Sequence, residues 1–469
     1  MSDEVAAQQA DFAPTATTAG RVDSLLASLA ILSANWESGR SHVDWFVPFV
    51  AEALSDTKPG QGVTPTDVRT YVEAQFGLDM PATEVQTVPR RATRLGYCRQ
   101  RRHIFTATHA GLPQERLAKA RQKHRREIEA LVDRFRRYAH DHHDVELDEA
   151  TAEMALLNLV EEWSLPLLGS AVRGDALKSE GIPADGTVRY VVADFVVTTW
   201  RKDPEGAEYL EALVKGNMIR SAMYVDLGKI EQRFTGMSAY LDTPLLLEAL
   251  GLAGNEREEA ALELIHLARD LGVNLACFGD TLSELRGVIH READATRPRP
   301  GSRRQTSSHS LQASSSQLDR LASNVEATLQ SLGIQVRERP DWDARDSEIE
   351  HALRSELDWY AKEAALDHDV ISLVSVHRLR QRRKHPRIED SRAIFITTNE
   401  RLVAASRRVI DGGDCSNAPA AMLGHEFATL LWLKKPTQAP TLPMKQVIAD
   451  CYAALDPPQA LWTRYLEEI

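Results

Sequence analysis

The chain has 469 residues, 43% of them hydrophobic and 26% charged. That composition excludes a wholly disordered chain, and the length suits about three domains of ordinary size. Lys and Arg total 56 against 68 Asp and Glu, a net charge of −12; this argues against a globally basic nucleic-acid coat and leaves room for local basic strips.

Residues 1–20 are rich in Ala, Thr and Gln without a period and are expected to form a disordered tail. Val22, Leu25, Leu26, Leu29 and Leu32 then recur at helical spacing over Arg21–Trp36. His42–Leu54 is predicted as a second helix. Thr64 followed by Pro65 marks a helix start, and Gly77 ends that helix after Phe76. A further helix is predicted from Pro81 to about Gly96, and two short β pieces from Tyr97 to Thr108. Helices followed by a basic hairpin over 21–112 resemble a winged helix-turn-helix. In such folds the third helix enters a major groove and the wing contacts phosphates. That resemblance makes Arg90, Arg91 and Arg94 candidate nucleic-acid contacts; docking of a protein is the alternative of equal weight.

Residues 113–235 read as an all-α connector. Gln114–His140 carries a long basic run, ordinarily a solvated face. Leu147–Leu168 and Glu205–Leu227 continue the helical pattern, and Val188–Thr199 is a buried segment of either type. From Ser238 the pattern changes. Strands are predicted at Tyr240–Leu241, Val273–Phe278 and Ala393–Thr398. Helices alternate with them at Thr243–Leu250, Asn255–Leu271, Thr281–Arg291, Gln317–Leu332, Ser347–Ala365, Asp367–Arg380 and Glu400–Arg408. Alternation of this kind implies an α/β domain with a mostly parallel sheet flanked by helices, here over 236–440. A Pro/Ser/Arg-rich insert, 294–317, is expected to be flexible, and 441–469 to be a C-terminal helical segment.

Cys98, Cys277, Cys415 and Cys451 are far apart and lack metal-ligand spacing, as reduced thiols do. No apolar run reaches the ~18–20 residues that span a bilayer. The N-terminus opens Met-Ser-Asp-Glu-Val, without a basic and then apolar signal layout. The expectation is a cytoplasmic protein with no membrane partner.

In an open parallel sheet, sites form beyond the carboxyl ends of the strands. Asp242 follows the first strand of this domain. Glu284 falls at the start of the helix after Phe278. Asp369 heads the helix from Val370, with Asp367 as its register alternative, and Asn399 follows the strand at Ile394. Carboxylates gathered in this way suit a hard divalent cation such as Mg²⁺ or Mn²⁺. Such an ion makes a bound water nucleophilic toward a phosphodiester.

The segments Tyr-Leu-Asp242-Thr243, Asp280-Thr-Leu-Ser-Glu284-Leu, Asp367-His-Asp369-Val-Ile-Ser-Leu and Phe-Ile-Thr397-Thr398-Asn399-Glu400-Arg-Leu, in that order, resemble the PIN-domain nuclease family over roughly 236–440. The resemblance implies metal-dependent cleavage of nucleic acid, RNA favoured over DNA, and frequent homodimers. By position it makes Asp242, Glu284 and Asp369 the metal-holding acids, with Asn399 where many members carry a fourth acid. Thr243, Thr397 and Thr398 are supporting residues, the last two through their hydroxyls. Arg378, Arg382, Arg383 and Lys384 follow close by as a candidate phosphate-contacting strip. The expected activity is a metal-dependent ribonuclease or nuclease, in one version a regulated toxin or phage-defence enzyme. The rival expectation is a non-catalytic nucleic-acid-binding regulator or scaffold with a degenerate α/β domain.

Overall fold

The computed structural model describes residues 18–37, 42–58, 60–80, 84–102, 104–108, 114–161, 186–221, 233–297, 314–360, 363–413 and 417–455. The chain forms two compact units, one within Met1–Leu165 and Lys178–Ile230, the other including Glu231–Ile469.

The first unit contains α1 (Thr18–Glu37), α2 (Val47–Ser55), β1 (Gly62–Val63), α3 (Pro65–Phe76), α4 (Glu84–Arg94), β2 (Cys98–Arg101), β3 (Ile104–Ala107), α5 (Gln114–His143), α6 (Glu149–Glu161), α7 (Gly186–Lys202) and α8 (Pro204–Ser221). Thr64 caps α3 through a reciprocal pair with Asp67, Pro65 opens the helix, and Gly77 closes it in the left-handed conformation. The predicted helix His42–Leu54 is instead a 3₁₀ turn, His42–Trp45, followed by α2, whose first turn carries Pro48. Proline suits a helix start and not its interior. The expected hairpin is present as β2 and β3, and β1 joins it to give an antiparallel sheet of order β1-β3-β2. Val188–Thr199 is helical and lies within α7. Segments 21–112 and 113–235, read separately in the sequence, share a core here: α1 packs against α5, α6 and α8. The predicted stretches 1–17, 162–168 and 222–227 lie outside the described residues.

The second unit contains β4 (Ser238–Leu241), α9 (Thr243–Ala249), α10 (Asn255–Asp270), β5 (Asn274–Phe278), α11 (Gly279–Thr296), α12 (Ser315–Ser331), β6 (Gln335–Arg337), α13 (Ser347–Glu356), α14 (Glu363–Leu379), β7 (Ala393–Thr397), α15 (Glu400–Val409), β8 (Ala421–Leu423), α16 (Gly424–Lys434) and α17 (Leu442–Leu455). Its five strands are all parallel, in the order β6-β5-β4-β7-β8. β4 and β7 are buried along their whole length, as parallel strands covered on both faces must be. Tyr240, Phe278 and Phe395 meet in the core, with the first two rings stacked at 4.3 Å. Of the expected helical segment 441–469, Leu442–Leu455 is α17, packed on α10 and α16, and 456–469 lie outside the described residues.

Several expected boundaries move. β6 and β8 were not predicted. The helix after β5 begins at Gly279, so Glu284 lies in its second turn and not its first. The predicted helix Ser347–Ala365 ends at Glu356, and α14 starts at Glu363. Asp369 therefore sits inside α14 and does not head a helix. Of the insert 294–317, the first residues complete α11 and the last open α12, while 298–313 lie outside the described residues. Among the described residues no helix is long and apolar enough to cross a membrane.

Candidate metal centre

β4, β5 and β6 step to one side of the sheet in chain order, whereas β7 and β8 add on the other. The strand order thus reverses between β4 and β7, and open α/β sheets bind ligands at the carboxyl ends of such a reversal. Leu241 is in register with Ile396, which sets Asp242, just past the end of β4, beside Thr397, the last residue of β7. The Asp242 backbone N–H donates to Ile396 O at 3.0 Å, extending the ladder by one step.

Asp242 caps α9 by accepting from the Thr243 N–H at 2.8 Å. Its other oxygen accepts from the Thr397 hydroxyl at 2.6 Å. The Thr243 hydroxyl donates in turn to Glu284, bringing α11 to the same place. α14 supplies two more groups. His368 Nδ1 lies 3.1 Å from Asp369 Oδ1, and Nε2 lies 3.1 Å from Thr281 Oγ1 and 3.7 Å from Glu284 Oε2. Asp242, His368 and Asp369 each offer a ligand atom within 4.8 Å of the others. Asp369 also accepts from the Tyr360 hydroxyl, whose oxygen accepts from Asn399 Nδ2 at 2.8 Å.

Burial, then the charges of Asp369 and Glu284, push the Asp242 carboxyl up to about 7, against His368 and the Thr397 hydrogen bond. For His368 burial alone would lower the value; the hydrogen bond it donates to Asp369 and the charges of Glu284 and Asp242 override it and raise it to about 9. The imidazolium is therefore the positive charge at the centre of three carboxylates. Burial and Asp369 keep Tyr360 protonated, so it remains a donor. As a donor set, carboxylate oxygens with one imidazole nitrogen suit Mn²⁺ better than Mg²⁺, which prefers oxygen alone.

The expected site residues separate clearly. Asp242, Glu284, Asp369 and the supporting Thr243 and Thr397 come together. Asp367 does not: it pairs with Arg354 Nη1 at 2.6 Å. Thr398 is exposed and outside the cluster. Asn399 caps α15, its Oδ1 accepting from the Leu402 N–H at 3.1 Å. It thus reaches Asp369 only through Tyr360. His368 and Tyr360 were not among the expected residues. The motif Asp367-His-Asp369 held the signal for His368, whereas Tyr360, in the connection between α13 and α14, had none.

The expected phosphate-contacting strip is largely consumed by the fold. Arg378 and Arg382 both pair with buried Asp346, and Arg382 also with Asp343 at 2.6 Å. Lys384 donates to the Asp411 carbonyl at 2.8 Å. Arg383 alone of the four is exposed without such a tie. In the first unit Arg90 and Arg94 are exposed, while Arg91 makes a two-pronged bond to Asp44 at 2.6 and 2.8 Å.

No protein-family model, curated protein or solved structure matches the chain significantly. The geometry of the site therefore carries the functional argument.

Proposed function

We propose that this protein is a metal-dependent nuclease, acting on RNA in preference to DNA, with a PIN-like catalytic domain over 236–440. The observation that carries the reading is the convergence of Asp242, Glu284 and Asp369 at the carboxyl rim, where the strand order reverses. Three separate stretches of chain bring buried Asp242 and Asp369 and half-buried Glu284 to one point. That costs solvation and self-repulsion, which a bound cation would offset. Asp242, Asp369 and Glu284 would hold Mn²⁺ or Mg²⁺, with His368 as the nitrogen donor once deprotonated. The ion would supply a nucleophilic water and neutralise charge on the phosphate under attack. The chain's own hydroxyls set the acids: Thr397 aims Asp242, Thr243 aims Glu284 and Tyr360 aims Asp369, as partners behind a metal ligand do. The three-stranded sheet and helices of the first unit would act as a winged helix, with Arg90 and Arg94 as its nucleic-acid contacts.

One observation favours a second reading, a nucleic-acid binder that does not cleave. The His368 imidazolium offsets part of the carboxylate charge without an ion. Labelled RNA and DNA incubated with the full chain, with and without Mn²⁺, separate the two. The nuclease reading expects cleavage with Mn²⁺ that disappears in Asp242→Asn. Binding without turnover, or cleavage unchanged by that substitution, overturns it.

A further inference from the structure

Two arginines on the carboxyl rim have no part in the scheme above. Arg339 lies two residues past β6. Its Nη1 is 2.8 Å from Asp280 Oδ2, and its guanidinium lies over the Phe278 ring at 5.7 Å from the centroid. Its other edge, Nε and Nη2, is buried and has no hydrogen-bond partner. This is the fork that grips carboxylate or phosphate through two parallel bonds. Buried guanidinium donors left unpaired are costly, and nearly all such groups find a partner in folded proteins. Arg339 is also close enough to Glu284 for the two charges to interact.

Arg401 stands on the other side. It lies in the first turn of α15, two residues after Asn399. Its guanidinium covers the Trp359 ring at 4.7 Å. Trp359 in turn lies against Tyr360, with centroids 4.3 Å apart, and Tyr360 bonds Asp369. An aromatic column thus runs from the carboxylates to an exposed cation. Neighbouring arginines of this domain, Arg354, Arg378, Arg382, Arg407 and Arg408, each pair with an acid. Arg401 has no acidic partner among the described residues and is held by the ring alone.

The order β6-β5-β4-β7 puts Arg339 and Arg401 on opposite sides of Asp242. With strands about 4.8 Å apart, the ends of β6 and β7 are separated by roughly three spacings, ~14 Å. We propose that Arg339 and Arg401 grip phosphates on the two sides of the carboxylate cluster, so that a polynucleotide strand crosses the rim and is cut internally. The inference rests on the nuclease reading and adds to it both the path of the substrate and endonucleolytic cleavage.

The test uses the full chain carrying Asp242→Asn, so that substrate stays intact, and a fluorescent single-stranded RNA over a salt series. Each phosphate contact to a single strand contributes about 0.7 to the slope of log affinity against log salt. Arg339→Gln and Arg401→Gln are each expected to flatten that slope by about 0.7 and to weaken binding several-fold at low salt. Arg339→Lys keeps the charge and removes the fork, so it should keep most of the slope while losing affinity; it serves if Arg339→Gln melts early. Wild-type protein with Mn²⁺ should also open a circular single-stranded RNA. Unchanged slopes in a parent that binds, or trimming of linear ends with circles left intact, overturn the inference and leave the nuclease reading standing. A parent that binds no nucleic acid, together with a wild type that cleaves none, overturns both.

Discussion

The Thr397 hydroxyl donates to Asp242 Oδ2 at 2.6 Å and joins the ends of two neighbouring parallel strands. Both residues are buried, and the same hydroxyl accepts from the Asn399 N–H at 3.1 Å. Thr397 therefore orients an acid and holds the start of α15. Thr397→Val has the same shape without the hydroxyl. It should cost about 1–3 kcal/mol, because a buried carboxylate and a backbone N–H both lose a partner. Thr397→Ser should recover most of that. Urea denaturation of the three proteins checks it; equal midpoints for wild type and the valine variant would contradict it.

Asn399 uses both ends of its amide, one on the Leu402 N–H and the other on the Tyr360 oxygen. Asn399→Asp keeps the cap and loses the donor, setting a carboxylate against the Tyr360 oxygen and near Asp369. Without divalent ions this variant should be less stable than wild type by about 1–2 kcal/mol. An ion held by Asp242 and Asp369 would relieve the added charge. Saturating Mn²⁺, at 100 times its dissociation constant, should raise wild-type stability by about 2.7 kcal/mol. It should raise that of Asn399→Asp by more, and that of Asp242→Asn by almost nothing. Melting curves with Mn²⁺ and with chelator measure all three.

The parallel sheet and its acidic rim were legible because strand ends carry local signals: an apolar run, then an acid, then a helix start. Asp242 and Thr397 are both found in this way. The choice between Asp367 and Asp369 rests on helical period. Two residues turn by about 200° on a helix, so only one can face the cluster, and the other meets Arg354. β6 and β8 have three residues each, too few to show a pattern. The basic strip at 378–384 was legible as charge and not as structure. Its partners Asp343 and Asp346 lie more than 30 residues earlier, where no spacing rule reaches. The same applies to Arg339, whose importance comes from the ring and the acid that the sheet brings to it.

Gly216 is required by the crossing of α1 and α8. A Cβ there would lie 1.9 Å from the Leu29 carbonyl oxygen and 2.8 Å from its Cα, both backbone atoms that no rotamer change can move. Gly216→Ala should force the helices apart and cost about 3 kcal/mol or more. Gly287, inside α11, makes the contrast. A Cβ there meets only the end of the Arg291 side chain, at 3.4 Å. Gly287→Ala should gain about 0.5–1 kcal/mol from helix propensity. Opposite shifts in thermal midpoint are expected, and a neutral Gly216→Ala would contradict the close crossing.

Glu153, on α6, gives the first unit a dependence on pH. It is 8% exposed. Burial, then the charges of Asp23 and Glu149, raise its carboxyl from 4.5 to about 7 despite Arg125. The folded chain therefore holds a proton that the unfolded chain releases, and stability falls as pH rises. Below pH 4.5 the group is protonated in both states and carries no penalty. The penalty grows between 4.5 and about 7 and is complete above that. At about 1.4 kcal/mol for each pKa unit, the rise from 4.5 to about 7 corresponds to at most about 3.5 kcal/mol. Glu153→Gln keeps the shape and cannot ionise. It should match wild type near pH 4 and exceed it near pH 8, with the gain appearing across that window. Thermal melts of both proteins as a function of pH read this directly; a gain that is constant with pH would assign the effect to packing and not to the proton.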